Sequence, residues 1–396
     1  MKHIAPERID ELLKGGQLEA AEAEINQALK SAPDDPDALS FKARLEGFRG
    51  DTEAALRLLE RALKKDPTHV GARAYRGGLL LEQQRVDDAK RELEAVVGTP
   101  AAPAAAHYNL ARCYARKGQH ERARKELERA VEKEDDNAVY LFALAQSAAD
   151  SGEHERSLEL LERSIRANPA YPKPWLVLAR LQMSAGQAED AVQNLEEALK
   201  HNEGHLELRE TLAMAALAAG DAERAVQEYQ ELVRDVPDNA DTVANLALCF
   251  VAAGRPADAE GAYREALRLA PDNPRILVGF ASLLELSESE QGLKEALACL
   301  EKAIEKDPSF WEAMNELGRL LLTQEAIQDR PRAMKLLEEA RRLSGDAPEP
   351  LLNLAIGHAQ AGEVQKMRAL CDKLKKSPHA PDELKAEADR LLASVQ

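Results

Sequence analysis

Residues 245–274 read NLALCFVAAGRPADAEGAYREALRLAPDNP, and this stretch decides the fold. Leu246 and Ala247 sit on a first helix, and Gly254 follows where that helix must end. Glycine reaches the left-handed backbone conformation that closes a helix at no steric cost. Ala259 and Ala266 then mark one face of a second helix, and Pro271 prevents that helix from continuing. Two short helices, crossing closely through alanine, are what these residues specify.

Outward from this stretch the same letters recur. Gly16, Gly50, Gly118, Gly152, Gly186, Gly220 and Gly254 are spaced by 34 residues or twice that, and Gln84 fills the missing place. Five residues on stand Ala21, Ala55, Ala89, Ala123, Ser157, Ala191, Ala225 and Ala259. A third column runs Ala28, Ala62, Val96, Ala130, Ser164, Ala198, Leu232 and Ala266, and Pro recurs at 33, 67, 169, 237 and 271. Small residues also mark the first helix of each pair, at Ala43, Gly77, Ala111, Ala145, Ala179, Ala213 and Ala247. A self-similar period of this length means a stacked array, in which no repeat buries its apolar face alone and each neighbour completes the other's core.

These columns resemble the tetratricopeptide repeat, and the resemblance covers nearly the whole chain; YNLARCYARKGQHERARKELERAV at 108–131 is a second close match. It implies an all-α fold, a right-handed α-solenoid (superhelix) of stacked antiparallel helix pairs. We place eleven repeats at 2–35, 36–69, 70–103, 104–137, 138–171, 172–205, 206–239, 240–273, 274–310, 311–347 and 348–381. The array thus spans 1–381, and 382–396 form a capping helix striped by Leu384, Ala388, Leu391 and Val395. Repeats nine and ten carry three extra residues each, around Ser287–Gly292 and Gln324–Pro331, and repeat one is a degenerate N-terminal cap. Pro100 and Pro103 sit in the joint after repeat three, which reads as an ordinary turn, with a hinge as the alternative.

Composition agrees. The chain has 396 residues, only 4% of them aromatic and 31% charged, a balance that suits exposed helices rather than strands. The net charge is −17, and residues 201–396 (23 basic, 35 acidic) supply −12 of it. Such a surface repels nucleic acid and anionic membranes. No run approaches the ~18 apolar residues of a membrane span, and the first residues lack the apolar run of a signal peptide. Cys113, Cys249, Cys299 and Cys371 lie far apart on core-facing positions, which implies a reducing compartment; a cytoplasmic location is expected.

Catalytic and cofactor signatures are absent: there is no phosphate loop, no GxSxG and no HExxH, so neither enzyme activity nor any cofactor is expected. His201 and His205 are four apart, but Gly204 and the repeat boundary place them in a turn without a cysteine partner. No metal site is expected there.

The resemblance further implies that the first helices line a concave groove that binds an extended peptide or a helix. Positions 2, 5, 6, 9, 12 and 13 of each repeat should face it. Over repeats two to six these give a basic and aromatic lane: Arg44 and Phe48; Tyr75; Tyr108, Asn109, Arg112 and Arg116; Phe142 and Gln146; Lys173 and Arg180. Arg44, Arg112 and Arg180 hold one position in alternate repeats. Planar guanidinium forks suit carboxylates, and Tyr and Arg are favoured interface anchors. The expected partner is a protein or peptide, with an acidic segment over repeats two to six. Repeats seven and eight differ: Glu207, Glu210 and Asp241 stand with Met214, Leu217, Leu248 and Val251, a mixture suited to an amphipathic helix with basic flanks or to contact within the array. The Lys and Asn pattern by which some co-chaperone members clamp a terminal carboxylate is missing around Asn109, Asn245 and Asn353. The competing reading is an assembly subunit bound through its convex face, the edge insertions of repeats nine and ten, or an end.

Overall fold

A computed structural model describes residues 6–287, 289–378 and 380–394. Among them are twenty-three α-helices, one 3-10 turn and no strand. The first helices of successive pairs are α1 (Pro6–Lys14), α3 (Pro36–Phe48), α5 (Val70–Glu82), α7 (Ala104–Arg116), α9 (Ala138–Asp150) and α11 (Pro172–Ser184), followed by α13 (Leu206–Ala218), α15 (Ala240–Ala252), α17 (Pro274–Glu285), α19 (Trp311–Thr323) and α21 (Pro348–Gln360). Their partners are α2 (Leu18–Ser31), α4 (Thr52–Lys65), α6 (Val86–Val97), α8 (His120–Lys133), α10 (His154–Ala167) and α12 (Ala188–His201), then α14 (Ala222–Asp235), α16 (Pro256–Leu269), α18 (Glu290–Lys306), α20 (Arg330–Leu343) and α22 (Val364–Lys376). The last helix is α23 (Asp382–Ala393).

The chain forms two compact units, 1–181 with 200–202, and 182–199 with 203–396. Within each, a helix pair packs against the next pair, as an all-α solenoid requires. The small-residue column of the first helices lies at the crossing: Ala43, Ala145, Ala179, Ala213 and Ala247 are fully buried. At the one glycine of that column, Gly77, a Cβ would come within 2.6 Å of Leu93 Cγ. Leu59, Leu93 and Leu195 on the partner helices are equally inaccessible.

The closing glycines behave as their spacing demands. Gly50, Gly118, Gly220 and Gly254 all have φ between 68° and 84°. The amide after each bonds back five residues, as Asp51 N–H does to Glu46 O (2.9 Å) and Arg255 N–H to Phe250 O (2.8 Å). Gln84 adopts the same conformation at φ 63°, and Arg85 N–H still reaches Leu80 O at 2.9 Å. Short polar side chains start many helices: Asp35 accepts from Ala38 N–H, Asp221 from Arg224 N–H and Asn239 from Thr242 N–H, at 2.9–3.1 Å.

The two insertions are absorbed differently. In repeat nine the extra residues lengthen α18 to seventeen residues, capped by Ser289 accepting from Gly292 N–H. In repeat ten they form the 3-10 turn Glu325–Ile327. The two-proline joint does not separate compact units, since α6 and α7 pack together across it and Ala102 is buried. At the end, Ala388 is fully buried and Leu384 and Leu391 pack on the core of α21 and α22; Val395 lies outside the described residues.

Candidate functional site

The first compact unit carries a cavity of about 970 Å³ on the face of α3, α5, α7 and α9. Most of its lining comes from the groove positions of repeats two to four: Asp37, Ser40, Phe41, Arg44 and Phe48; Ala74, Tyr75, Gly78 and Glu82; Ala105 and Asn109. Asp10, His69, Glu134, Asn137 and Tyr140 are among the rest. Glycine shapes the floor. A Cβ on Gly47 would fall 1.8 Å from the Tyr75 hydroxyl, so the phenol lies where repeat two has no side chain. Gly78 likewise makes room for the Asn109 amide, 3.1 Å from where its Cβ would be.

The aromatic groups divide into wall and core. Phe48 is 58% exposed and open to a ligand, whereas Phe142 is only 7% exposed and meets Tyr171 edge-on at 5.6 Å. Tyr108 and Tyr140 lie 5.0 Å apart between ring centroids. Burial, with Glu134 nearby, pushes the Tyr140 phenol up to about 12, and burial followed by Glu82 raises Tyr75. Both phenols therefore keep their protons at neutral pH.

The cations divide as well. Arg44 is taken up by Asp10 at 2.6 Å and lies over Phe41, its charge already met by a carboxylate. Arg112 stacks on Tyr108 and donates to Asn109 Oδ1 at 3.2 Å; Arg116 donates to Leu81 O (3.2 Å) and Gln84 Oε1 (2.8 Å). These last two guanidiniums bond to neutral oxygens, which leaves their charge available. Lys173 and Arg180 are exposed on α11, and Gln146 on α9. His69 accepts from Ala72 N–H through Nδ1, so its Nε2 carries the proton and donates to Asp37 at 3.0 Å.

The acids Asp10, Asp37, Glu82 and Glu134 and the phenol of Tyr140 line the cavity too, outside the basic and aromatic lane expected from the sequence. Asp10, Asp37 and Glu82 hold positions 9, 2 and 13 of their repeats, so the positional rule that found Arg44 had already reached them. Tyr140 holds position 3 and had no such signal.

The second compact unit presents other chemistry at the same positions. Met214 and Leu248 are each 51% exposed, with Leu217 and Val251 half-buried one turn further on. Arg319, the first cation to return at position 9, is bound by Glu285 and by Glu316 at 2.9 Å. Asn353 donates to Asn315 Oδ1 at 2.9 Å in a buried pair, so its amide is engaged inside the array.

The remaining chemistry is structural. Cys113, Cys249 and Cys371 are fully buried and Cys299 partly so; burial pushes Cys249 up to about 12 and Cys299 to about 11. His205 caps α13 by accepting from Leu208 N–H. Among the described residues no three His, Cys, Asp or Glu side chains converge as metal ligands, and no helix is long and apolar enough to cross a membrane.

Models of the tetratricopeptide repeat match residues 7–46, 77–139, 116–172, 142–205, 176–240, 210–274 and 289–329, with further matches at 49–102 and 36–61. No curated protein matches the sequence. Among solved structures the fold is similar to yeast Tom70 (TM-score 0.55, 15% identity, covering 98% of this chain and 94% of that one). It is also similar to a tetratricopeptide repeat protein from Parabacteroides merdae (TM-score 0.52, 17% identity, 64% and 98%). A third similar structure is the C-terminal part of a repeat protein from Cytophaga hutchinsonii (TM-score 0.52, 12% identity, 62% and 99%).

Proposed function

This chain belongs to the tetratricopeptide repeat family and is a protein-interaction scaffold, and we propose that its first compact unit holds an acidic segment of a partner protein. One observation carries the reading: Arg112 and Arg116 bond to neutral oxygens and stand on α7, the helix whose Ala105 and Asn109 line the cavity together with Phe48, Tyr75 and Tyr140. A carboxylate reaching either guanidinium gains a charge-assisted, two-pronged contact at no cost to an existing ion pair. An apolar or aromatic side chain of the same segment fills the cavity, where Phe48 is already exposed to meet it. Asp10, Asp37, Glu82 and Glu134 set the register, because a second acidic group pointed into the cavity itself would be repelled. The segment therefore carries its aromatic group over repeats two and three and its acids over repeats four to six, toward Lys173.

The test is selection from a random peptide library displayed on phage, panned against the full chain. Selected peptides should combine Asp or Glu with an aromatic residue. Arg112→Glu/Arg116→Glu should weaken them at least tenfold while helicity is kept. Peptides without acidic residues, or acidic peptides indifferent to the double variant, overturn the reading. Indifference would turn attention to the edge of the array, where Leu286, beside the repeat-nine insertion, is 67% exposed.

A further inference from the structure

We propose that the crevice between the second helices of repeats eight and nine is a binding site for a small apolar carboxylate. It is lined by α16, α17 and α18, wholly within the second compact unit. None of the groove positions contributes to it, so it stands apart from the acidic-segment reading.

Two corresponding crevices are present among the described residues. In the first unit α8 and α10 enclose about 410 Å³ over Leu144, and in the second α16 and α18 enclose about 430 Å³ over Phe280. Leu144 and Phe280 both hold position 7 of their repeats. Volumes of this size take up small ligands. The lining is what differs. Glu128, Glu132 and Glu159 face Arg156 and Arg163 in the first crevice. The same repeat positions supply Arg264, Arg268 and Ala298, with Glu295 and Lys302, in the second. Two cations and three carboxylates thus become three cations and one carboxylate, a change from −1 to +2. It runs against the rest of that half of the chain, which is the more acidic one.

Each part of the second lining contributes. Leu277 and Phe280 form a buried apolar floor, with Leu267 and Cys299 half-buried beside them. Ala298 replaces the long side chain of Glu159 by a methyl group, which frees that space. Burial holds the Cys299 thiol protonated, so it is wall and not nucleophile. Arg264 lies over the Phe280 ring at 5.1 Å and binds Glu295 through bonds of 2.9 and 3.1 Å. The carboxylate of the lining is therefore already answered. Arg268 and Lys302 have their acids outside the lining, Glu265 at 2.7 Å and Asp272 at 3.1 Å. Solvent-exposed pairs of this kind hold a cation weakly, so either one turns to a new carboxylate at little cost. An apolar body on the floor, with its carboxylate at Arg268 or Lys302, satisfies both halves of the site.

The probes are 2-naphthoate and 2-naphthylmethylammonium, one ring system carrying opposite charges. Each is titrated into the full chain during alkylation by N-ethylmaleimide, and mass spectrometry follows the peptide that contains Cys299. Reading protection at Cys299 itself separates this crevice from the cavity of the first unit, and the other three thiols are buried. Naphthoate should slow the alkylation about threefold or more, at concentrations where the ammonium has no effect. Arg268→Glu/Lys302→Glu should raise the naphthoate concentration needed by about tenfold or more. Ala298→Glu, which restores the acid of the counterpart crevice, should abolish protection. Both variants should keep the wild-type circular dichroism, since none of the three side chains is buried. Equal protection by the two probes overturns the charge argument. No protection by naphthoate, or undiminished protection in both variants, overturns the site.

Discussion

Position 9 of the repeat is Arg44 and Arg112 in the first compact unit but Met214 and Leu248 in the second. One residue earlier, every one of these helices has alanine, between 0% and 1% exposed. Packing thus fixes position 8, which has no room for added methyl groups, and leaves its neighbour freer, since Met214 and Leu248 are half exposed there. A scaffold built this way changes what it binds along its length without changing how it folds. That is why the acidic ligand proposed for the first unit does not carry over to the second.

The most forceful way to break the comparison is to substitute the two neighbours in turn. Ala111→Leu in the first unit and Ala213→Leu in the second should each destabilise the chain by about 1–3 kcal/mol or more, by overpacking a filled crossing. Arg112→Leu and Met214→Arg, one residue away, should stay within about 0.5 kcal/mol. Urea unfolding of the four variants gives the answer. Comparable losses at both positions would mean that the exposed face helps to hold the array together.

A smaller effect probes the place where the second unit regains a cation. Arg319 is held by Glu285 and Glu316, and Glu285 is itself only partly accessible. Burial alone would raise the Glu285 carboxyl, but the bonds from Arg319 and Gln324 outweigh it and hold the group below its ordinary 4.5. A carboxylate so depressed contributes stability above its unfolded value and loses it as pH falls through the folded one. Arg319→Ala should therefore cost about 1–2 kcal/mol at neutral pH, less than a fully buried pair because water reaches both partners. The deficit should narrow below about pH 4.5 as Glu285 takes up a proton. A deficit independent of pH would assign the loss to packing of the arginine stem.

Most of the fold was legible in the sequence because its constraints are local and repeated: a closing glycine, a crossing alanine and a stopping proline each have one physical reason and recur about every 34 residues. The face was legible in position more than in chemistry. Position 9 singles out Arg44, yet the charge of that arginine is absorbed by Asp10 of the preceding repeat, a pairing set by the stacking of two helices. Phe142 holds one of the same positions and still turns inward, where it meets edge-on the ring of Tyr171 at the end of its own repeat. Partners of this kind depend on side-chain reach, which a period does not encode. The division into two compact units within repeat six left no mark on the columns at all.

The smallest effect sharpens the comparison at the turn. Gly254 in the second unit and Gln84 in the first occupy the same place in the repeat, at φ 69° and 63°. A side chain in this conformation costs roughly 1–2 kcal/mol, whereas glycine loses about 0.5–1 kcal/mol through the freedom of its unfolded chain. The balance favours glycine, so Gln84→Gly should stabilise the first unit by about 0.5 kcal/mol even though it removes the oxygen that accepts from Arg116. Gly254→Gln should destabilise the second unit by about 1 kcal/mol, since nothing there repays the strain. Thermal melts of the two variants measure both signs. If Gln84→Gly instead destabilises, the Arg116 bond is worth more than the backbone strain. Position 84 would then have exchanged its glycine for a group that holds a ligand-facing arginine in place.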